Sequence, residues 1–313
     1  MPQEMLVEQH HKLQYASSVQ MVAQQTKNPL DGAVTEVPAS GEAMAVSDLI
    51  GEAEYQRGEQ HSRRNPENPI GKSRRWVVFQ DPIESGQYIE KEEKFKTAMD
   101  PTSNYVTAHT NAVRRGKMDL LLGVSKGQDG NFYVTEGGIL GIAREGKTPG
   151  TGLALPSTQF IPHGGLGMTI EKLRAARLQL KTDEFGLEDN DQLFGLITPQ
   201  QEDDLIAIAQ EAGQSLNAFN IEQLKSGKAT PLMGINWIVT NRAPMKSPTD
   251  DDIRLCPIWS KQNIIAARWQ GIEGHIWNDP HAKNLPYVLV DAIYDAVRAQ
   301  DKAVIVIECQ EPA

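Results

Sequence analysis

The feature that most constrains the fold is a long helical pattern that follows Asp100 and Pro101. Aspartate accepts hydrogen bonds from the free N–H groups of a helix start, and proline is favoured at the first helical position. Apolar residues then recur near helical spacing over residues 101–122, and Gly123 can end the helix. Such a helix is about 33 Å long, well above the average length in globular proteins. Other parts of the chain must therefore pack along the length of this helix.

The composition indicates a sizeable core and excludes several classes of protein. The 313 residues, 39% apolar and 23% charged, have room for one large domain or two smaller ones. The formal net charge of −10 argues against a nucleic-acid clamp, which needs a basic surface. Cys256 and Cys309 are too few for a disulfide framework or a four-cysteine zinc site, and they fit a reducing compartment. No apolar run approaches the roughly 18 residues of a membrane span, and the first twenty residues lack a signal peptide.

The first sixty residues are polar and do not resemble a packed domain. Their apolar residues are scattered, and a short helix is expected only at residues 45–56, with Ser47 as its cap. An arm of this kind frays in an isolated monomer. A neighbouring subunit is the simplest partner that would order it.

A split in charge follows the arm. Residues 54–75 hold six basic and three acidic side chains, whereas residues 81–100 hold six acidic and three basic ones. Strand-like runs occur at residues 74–80 and 87–90, with turn signals between them. The segment is either an ordinary solvated hairpin or an extended loop whose limbs lie on complementary neighbours. In the second interpretation, Trp76 is the apolar anchor, while Arg74 and Arg75 contact a neighbour's acidic surface.

The rest of the chain indicates a mixture of helices and strands. An amphipathic helix is predicted at residues 169–181, and a capping box at residues 198–201 predicts the start of another. Residues 287–298 fit helix and strand periods equally well. Strands are predicted at residues 192–197, 234–240, 263–268 and 303–309.

Residues 141–148 match the GxxxxGK[ST] pattern of a phosphate-binding loop, with Lys147 as the candidate phosphate ligand. In a true phosphate-binding loop the motif opens a helix whose N-terminus holds the phosphates. Here Pro149, Gly150 and Gly152 follow at once and oppose a helix. Nucleotide binding is therefore the less favoured alternative.

Other patterns of catalytic or metal-binding residues are weak. His275, Asp279 and His281 do not have a common metal-ligand spacing. Cys256 has no histidine nearby, and no GxSxG elbow occurs. The acidic run at residues 183–204 does not fit a calcium loop, and a solvated face is its default interpretation. We therefore expect no catalytic, cofactor-binding or metal-binding residues, and no enzyme activity.

An ordered series of segments nevertheless resembles a known family. The series begins with a strand that starts at Arg74, Arg75 and Trp76, and a charged loop follows it. Residues 100–105 then lead into the long helix, and residues 114–119 lie near the end of that helix. Segments at 165–180, 192–205, 226–240 and 303–308 continue the series. The series is similar to the major capsid proteins of tailed bacteriophages, specifically a podophage-like branch. The sequence departs from the family at two places. The family often has an aspartate after the arginine pair of the long helix, where this chain has Gly116 and Lys117. The GKT segment at residues 146–148 is not typical of the family either.

The resemblance implies an α+β Hong Kong 97-type fold in five regions. These are an N-terminal arm (1–58), an extended loop (59–98), a peripheral domain (99–164) with a spine helix (101–122), an axial domain (165–285), and a return to the peripheral domain (286–313). It implies intersubunit contact by Arg74, Arg75 and Trp76 within the extended loop.

The function implied is a structural virion protein, made in the host cytoplasm. It would self-assemble as hexamers and pentamers of an icosahedral head around double-stranded DNA, without sequence-specific DNA binding and without a membrane. Expected partners are further copies of the chain, a portal and a separate scaffolding protein, and a decoration protein is left open. An encapsulin-like nanocompartment shell is the alternative on the same fold, and a P-loop nucleotide-binding protein through 141–148 is the alternative from another class.

Overall fold

A computed structural model of the chain describes residues 27–50, 72–89, 102–187, 191–212 and 233–311. Within these ranges the α-helices are α1 (Thr102–Leu122), α2 (Ile170–Thr182) and α3 (Pro199–Ala212). The strands are β1 (Thr35–Pro38), β2 (Ala43–Ile50), β3 (Lys72–Val78), β4 (Ile83–Tyr88), β5 (Val124–Lys126), β6 (Phe132–Val134), β7 (Ala143–Glu145), β8 (Thr151–Leu153), β9 (Phe160–Ile161), β10 (Leu193–Ile197), β11 (Ile235–Val239), β12 (Met245–Ser247), β13 (Asp250–Ser260), β14 (Ile264–Asp279), β15 (Leu285–Arg298) and β16 (Val304–Gln310).

The strands form three sheets. The ribbon sheet has the order β1-β14-β15-β4 and is built around the long antiparallel pair β14 and β15. The hairpin sheet has the order β2-β3-β7-β8. The large sheet has the order β11-β10-β13-β12-β6-β5, and β16 extends it by pairing with β13 while β9 pairs with β16. The mixture of helices and strands confirms the expected α+β class.

Helix α1 confirms the predicted spine helix and packs along the ribbon sheet, where Val113 and Val290 belong to the same buried cluster. It ends at Gly123, which has a φ of +73° and donates its N–H to the Leu120 carbonyl at 3.0 Å. A Cβ at this position would lie 2.2 Å from the carbonyl oxygen of Gly137. Glycine is therefore required here both for the backbone conformation and for the close packing of the next segment.

The two faces of the large sheet are buried against different partners. Ile305 and Ile307 of β16 lie in a cluster with the apolar sides of α2 and α3. Val304 and Val306, one residue out of phase, lie in the main core with the last turn of α1. This alternation explains why the run of apolar residues near the C-terminus is almost continuous, because the strand is covered on both sides.

The starts of α2 and α3 follow the predicted capping. The Thr169 hydroxyl accepts a hydrogen bond from the Lys172 N–H at 3.3 Å. At α3 the Gln201 side-chain oxygen accepts a hydrogen bond from the Thr198 N–H at 3.1 Å, as a capping box requires. The predicted strands at 192–197, 234–240 and 303–309 are also present, and residues 287–298, which were ambiguous, belong to β15.

Two predictions in the N-terminal half are wrong. Residues 45–50 do not begin a helix but lie in β2, since Met44 and Val46 alternate onto a buried cluster around Val77. The strands β3 and β4 do not form a hairpin with each other, because β3 pairs with β2 and β7 whereas β4 pairs with β15. The antiparallel pair in this part of the chain is β2 with β3, so the described limbs of the extended hairpin are residues 43–50 and 72–78.

Candidate functional site

The three residues predicted at an intersubunit contact lie on β3, an inner strand of the hairpin sheet. Side chains alternate along this strand, so Arg75 and Val77 are buried, Arg74 is exposed and Trp76 is half-buried. The three residues are consecutive in the chain, but they lie on two faces of the strand. Arg75 lies on the buried face, whereas Arg74 and Trp76 lie on the opposite face.

Arg75 is anchored inside its own subunit. It is 4% exposed, and its guanidinium lies 2.8 Å from the Asp301 carboxylate and 3.9 Å from that of Glu145. Its Nε and Nη1 atoms are buried and have no hydrogen-bond partner among the described residues. Arg75 is therefore paired within its own subunit, and the intersubunit contact stays a prediction for Arg74, Arg75 and Trp76.

Arg298 completes the cluster around Asp301. Its side chain is fully buried, and its Nε lies 2.5 Å from the Asp301 carboxylate. The guanidinium also donates to the carbonyl oxygens of Gly141 and, at 2.9 Å, Leu153. Burial lowers the pKa of Arg298, although the carboxylate of Asp301 acts in the opposite direction. The cluster links β3, the β7–β8 hairpin and the end of β15.

Trp76 and Arg74 form the outer side of the same region. The Trp76 indole N–H donates to the carbonyl oxygen of Gly146 at 2.8 Å, and the Arg74 guanidinium lies 5.5 Å from the indole centroid. The indole is thus fixed by the turn after β7, and an arginine lies over its face.

Sequence reasoning missed Arg298 and Asp301, although the Asp301 carboxylate pairs with both Arg75 and Arg298. The Asp301 carboxylate is 226 residues from Arg75, and no local motif connects them. An arginine within the apolar run of β15 is the one signal that could have drawn attention to this position.

The segment that matches a phosphate-binding loop has the wrong structure for that role. Residues 143–145 are β7, which pairs antiparallel with β8, and Lys147 lies in the turn between these strands rather than at the start of a helix. The Gly146 N–H donates to the Arg74 carbonyl at 3.1 Å and is not free to hold a phosphate. The P-loop alternative is therefore wrong.

The two cysteines and the possible metal ligands are the remaining candidates for catalysis or metal binding. The thiols of Cys256 and Cys309 are free and fully buried. A hydrogen bond from Cys309 and burial raise the pKa of Cys256, which keeps its thiol protonated and weakly nucleophilic. Within the described residues, no group of three or more His, Cys, Asp or Glu side chains could hold a metal ion.

The acidic run at 183–204 is partly internal rather than fully solvated. Asp183 lies 3.0 Å from the Lys302 ammonium, and Asp204 accepts the Met168 N–H at 3.0 Å. Asp191 accepts a hydrogen bond from the Gly186 N–H at 2.6 Å.

In the described part of the chain, no helix is long and apolar enough to cross a membrane.

A spine helix packed along a ribbon sheet, a hairpin sheet and a third, helix-covered sheet form the Hong Kong 97-type capsid fold. The sequence from residue 7 to residue 311 matches the family model described as phage capsid protein. The chain therefore belongs to the phage capsid protein family. No curated protein matches its sequence.

Solved structures of low sequence identity share the whole fold. The capsid of Ralstonia phage GP4 aligns with a TM-score of 0.68 and 12% identity, over 100% of this chain and 99% of the other. The capsid of Cyanophage P-SCSP1u gives 0.66 and 12%, over 96% and 94%. The holo-SrpI encapsulin complex from Synechococcus elongatus PCC 7942 gives 0.56 and 13%, over 94% and 92%.

Proposed function

We propose that the protein is the major capsid protein of a tailed phage and forms hexamers and pentamers of an icosahedral head that encloses double-stranded DNA. The observation that carries the proposal is the family match over residues 7–311. The net charge of −10 favours this role over DNA binding, since an acidic shell wall repels packaged DNA electrostatically.

The partners follow from this role as part of the proposal. Copies of the chain are the main partner, a separate scaffolding protein and a portal are further ones, and the presence of a decoration protein is left open. The podophage-like branch, the domain boundaries and synthesis in the host cytoplasm belong to the proposal as well. The extended loop is best drawn around the β2–β3 hairpin, because these strands pair and β3 does not pair with β4.

A cellular nanocompartment is the second candidate, and the encapsulin complex with a TM-score of 0.56 is the observation that favours it. Electron microscopy of particles purified from the native source separates the two roles. Closed shells with nuclease-protected double-stranded DNA support the phage head, whereas shells filled with a protein cargo and free of DNA support the nanocompartment. A monomer or small oligomer from that source would contradict both.

A further inference from the structure

The outer face of helix α2 lines an open groove that has no part in the proposed function. The inner face of the helix, with Leu173, Ala176 and Leu180, is buried in the cluster against the large sheet. The opposite face borders a groove of about 680 Å³. Its lining residues are Glu171, Arg174, Ala175, Arg177, Leu178, Lys181 and Met233. A groove of this volume has room for several side chains of a partner.

The groove carries three cationic side chains and one carboxylate, that of Glu171. Arg174 is exposed, whereas Arg177 and Lys181 are half-buried. Their spacing of three and four residues places them on successive turns of the helix, as a stripe about 10 Å long. None of the three cationic side chains forms an ion pair or a hydrogen bond with another described residue. The stripe therefore has unpaired positive charge, although the whole chain has a net charge of −10.

An exposed leucine lies at the centre of the same face. Leu178 is 69% exposed, the highest value for any large apolar side chain in the described part of the chain. At about 100° per residue it lies between Arg174 and Ala175 on the helix surface, with the cations on one side of it. Met233, just before β11, adds a second apolar side chain to the groove. A DNA backbone needs cations but no apolar surface, so the leucine favours a protein partner.

Helices of a second copy do not offer a matching face within the described residues. The apolar side of α3 is buried in its own subunit, where Leu205 lies in the cluster with α2. The Asp204 carboxylate near the start of α3 accepts the Met168 N–H at 3.0 Å. Asp119 is the one carboxylate of α1, and it is paired with Arg242. These contacts favour an acidic segment of another protein over a second copy of this chain.

We propose that the groove is a docking site for an acidic amphipathic helix of a separate protein. In this mode an apolar side chain of the partner packs on Leu178 and Met233. Carboxylates at a spacing of three and four residues on the partner pair with Arg174, Arg177 and Lys181, and the two arginines can bind them bidentately. An apolar centre bordered by charged groups is typical of the energetic centre of an interface.

The cations and the leucine have separate effects on binding. The cations steer the partner and fix its orientation, because they lie on one side of the leucine only. The leucine adds affinity through the burial of apolar surface, which does not depend on charge. Binding should therefore weaken as the salt concentration rises, and it should need an apolar residue on the partner at every salt concentration.

The test uses a fluorescently labelled helical peptide of about 21 residues, with leucines along one side and glutamates along the other. Fluorescence anisotropy measures its binding to the unassembled full-length protein at low salt. R174E/R177E should weaken binding about tenfold or more, and L178S should weaken it about tenfold. K126E/K283E is the matched control, because it makes the same change in net charge at two exposed positions away from the groove. This control should bind the peptide as the wild type does.

Each variant should unfold at the wild-type temperature, because none of the changed side chains is buried, so a loss of binding reports on the groove itself. A peptide with serine in place of leucine should bind about tenfold more weakly or worse. Failure of the wild type to bind the peptide would overturn the proposal. Equal binding of the serine peptide, or an equal loss in K126E/K283E, would show attraction by net charge alone and would overturn it as well.

Two further measurements test the other possible occupants of the groove. A DNA duplex of about 20 base pairs that binds more tightly than the peptide, with no effect of L178S, would assign the groove to nucleic acid. Self-association of the wild type that R174E/R177E abolishes, measured by analytical ultracentrifugation, would assign it to a second copy. Either result would overturn the proposal, whereas weak DNA binding and no such self-association are the expected results.

Discussion

The guanidinium of Arg75 lies 2.8 Å from the carboxylate of Asp301, and Arg298 approaches the same carboxylate from the other side at 2.5 Å. One carboxylate therefore pairs with two buried arginines from strands of different sheets. The base of the extended hairpin is fixed to the body of the subunit by this arrangement rather than by apolar packing alone.

Substitution of Asp301 by asparagine should strongly destabilise the monomer. It would leave two arginines buried without a carboxylate at hydrogen-bond distance, and loss of one partner of a buried pair costs about 3–5 kcal/mol. Urea unfolding of the unassembled protein measures the change. Asp203→Asn, at an exposed position in the first turns of α3, is the control and should cost less than about 1 kcal/mol. A loss of similar size in both variants would contradict the role of Asp301.

Local sequence signals predicted the elements that depend on local chemistry. The cap and periodicity of residues 101–122 gave α1, and the capping box at Thr198 gave the start of α3. Strand pairing is non-local, so the partner of β3 could not be inferred from its neighbour in sequence. The burial of Arg75 depends on a residue 226 positions away, and its charge alone wrongly indicated a surface.

Acidification should weaken the contact between α1 and β4 through His109. Burial lowers the pKa of His109 below its ordinary value of 6.5, and its Nε2 has no hydrogen-bond partner among the described residues. Between the two pKa values the unfolded chain binds more protons, so stability rises with pH there and falls as the pH drops below 6.5. His109→Gln should reduce the loss of stability between about pH 7 and about pH 5.5. An NMR titration that places the pKa of His109 at or above 6.5 would contradict this.

Gly123→Ala should prevent correct folding at the end of the spine helix. The new methyl group would lie 2.2 Å from the Gly137 carbonyl oxygen and 2.7 Å from the Gly141 nitrogen, both of which are backbone atoms. Gly130→Ala is the matched control, because Gly130 also has a positive φ but has no atoms within 4 Å of the added carbon. The control should lose about 1 kcal/mol from backbone strain. Soluble yield and thermal unfolding measure the difference, and equal effects would contradict the role of close packing.

Lys147→Ala should leave assembly unchanged, and the wild-type protein should show no ATP binding by calorimetry. Lys147 is exposed in the turn between β7 and β8, where no helix N-terminus is present to hold phosphate. Arg144→Ala is the informative comparison in the same hairpin, because Arg144 lies 3.2 Å from the buried carboxylate of Asp295. That variant should lose stability. Micromolar ATP binding that disappears in Lys147→Ala would contradict the assignment.

Arg74→Glu should affect assembly much more than folding. Arg74 is exposed and lies 5.5 Å from the Trp76 ring, a contact worth about 0.5–1 kcal/mol at an exposed site. Because contacts of exposed charged side chains contribute little, the free energy of unfolding of the monomer should change by no more than about 1 kcal/mol. Assembly yield should fall sharply at low salt, because the new carboxylate would repel a neighbour's acidic surface, and should recover at about 1 M salt, where the Debye length is about 3 Å. Sedimentation of particles over a salt series measures this effect. Lys126→Glu, an exposed reversal on β5, controls for net charge and should assemble as the wild type does. If Arg74→Glu assembles as well as Lys126→Glu at every salt concentration, the intersubunit contact predicted at Arg74 is wrong.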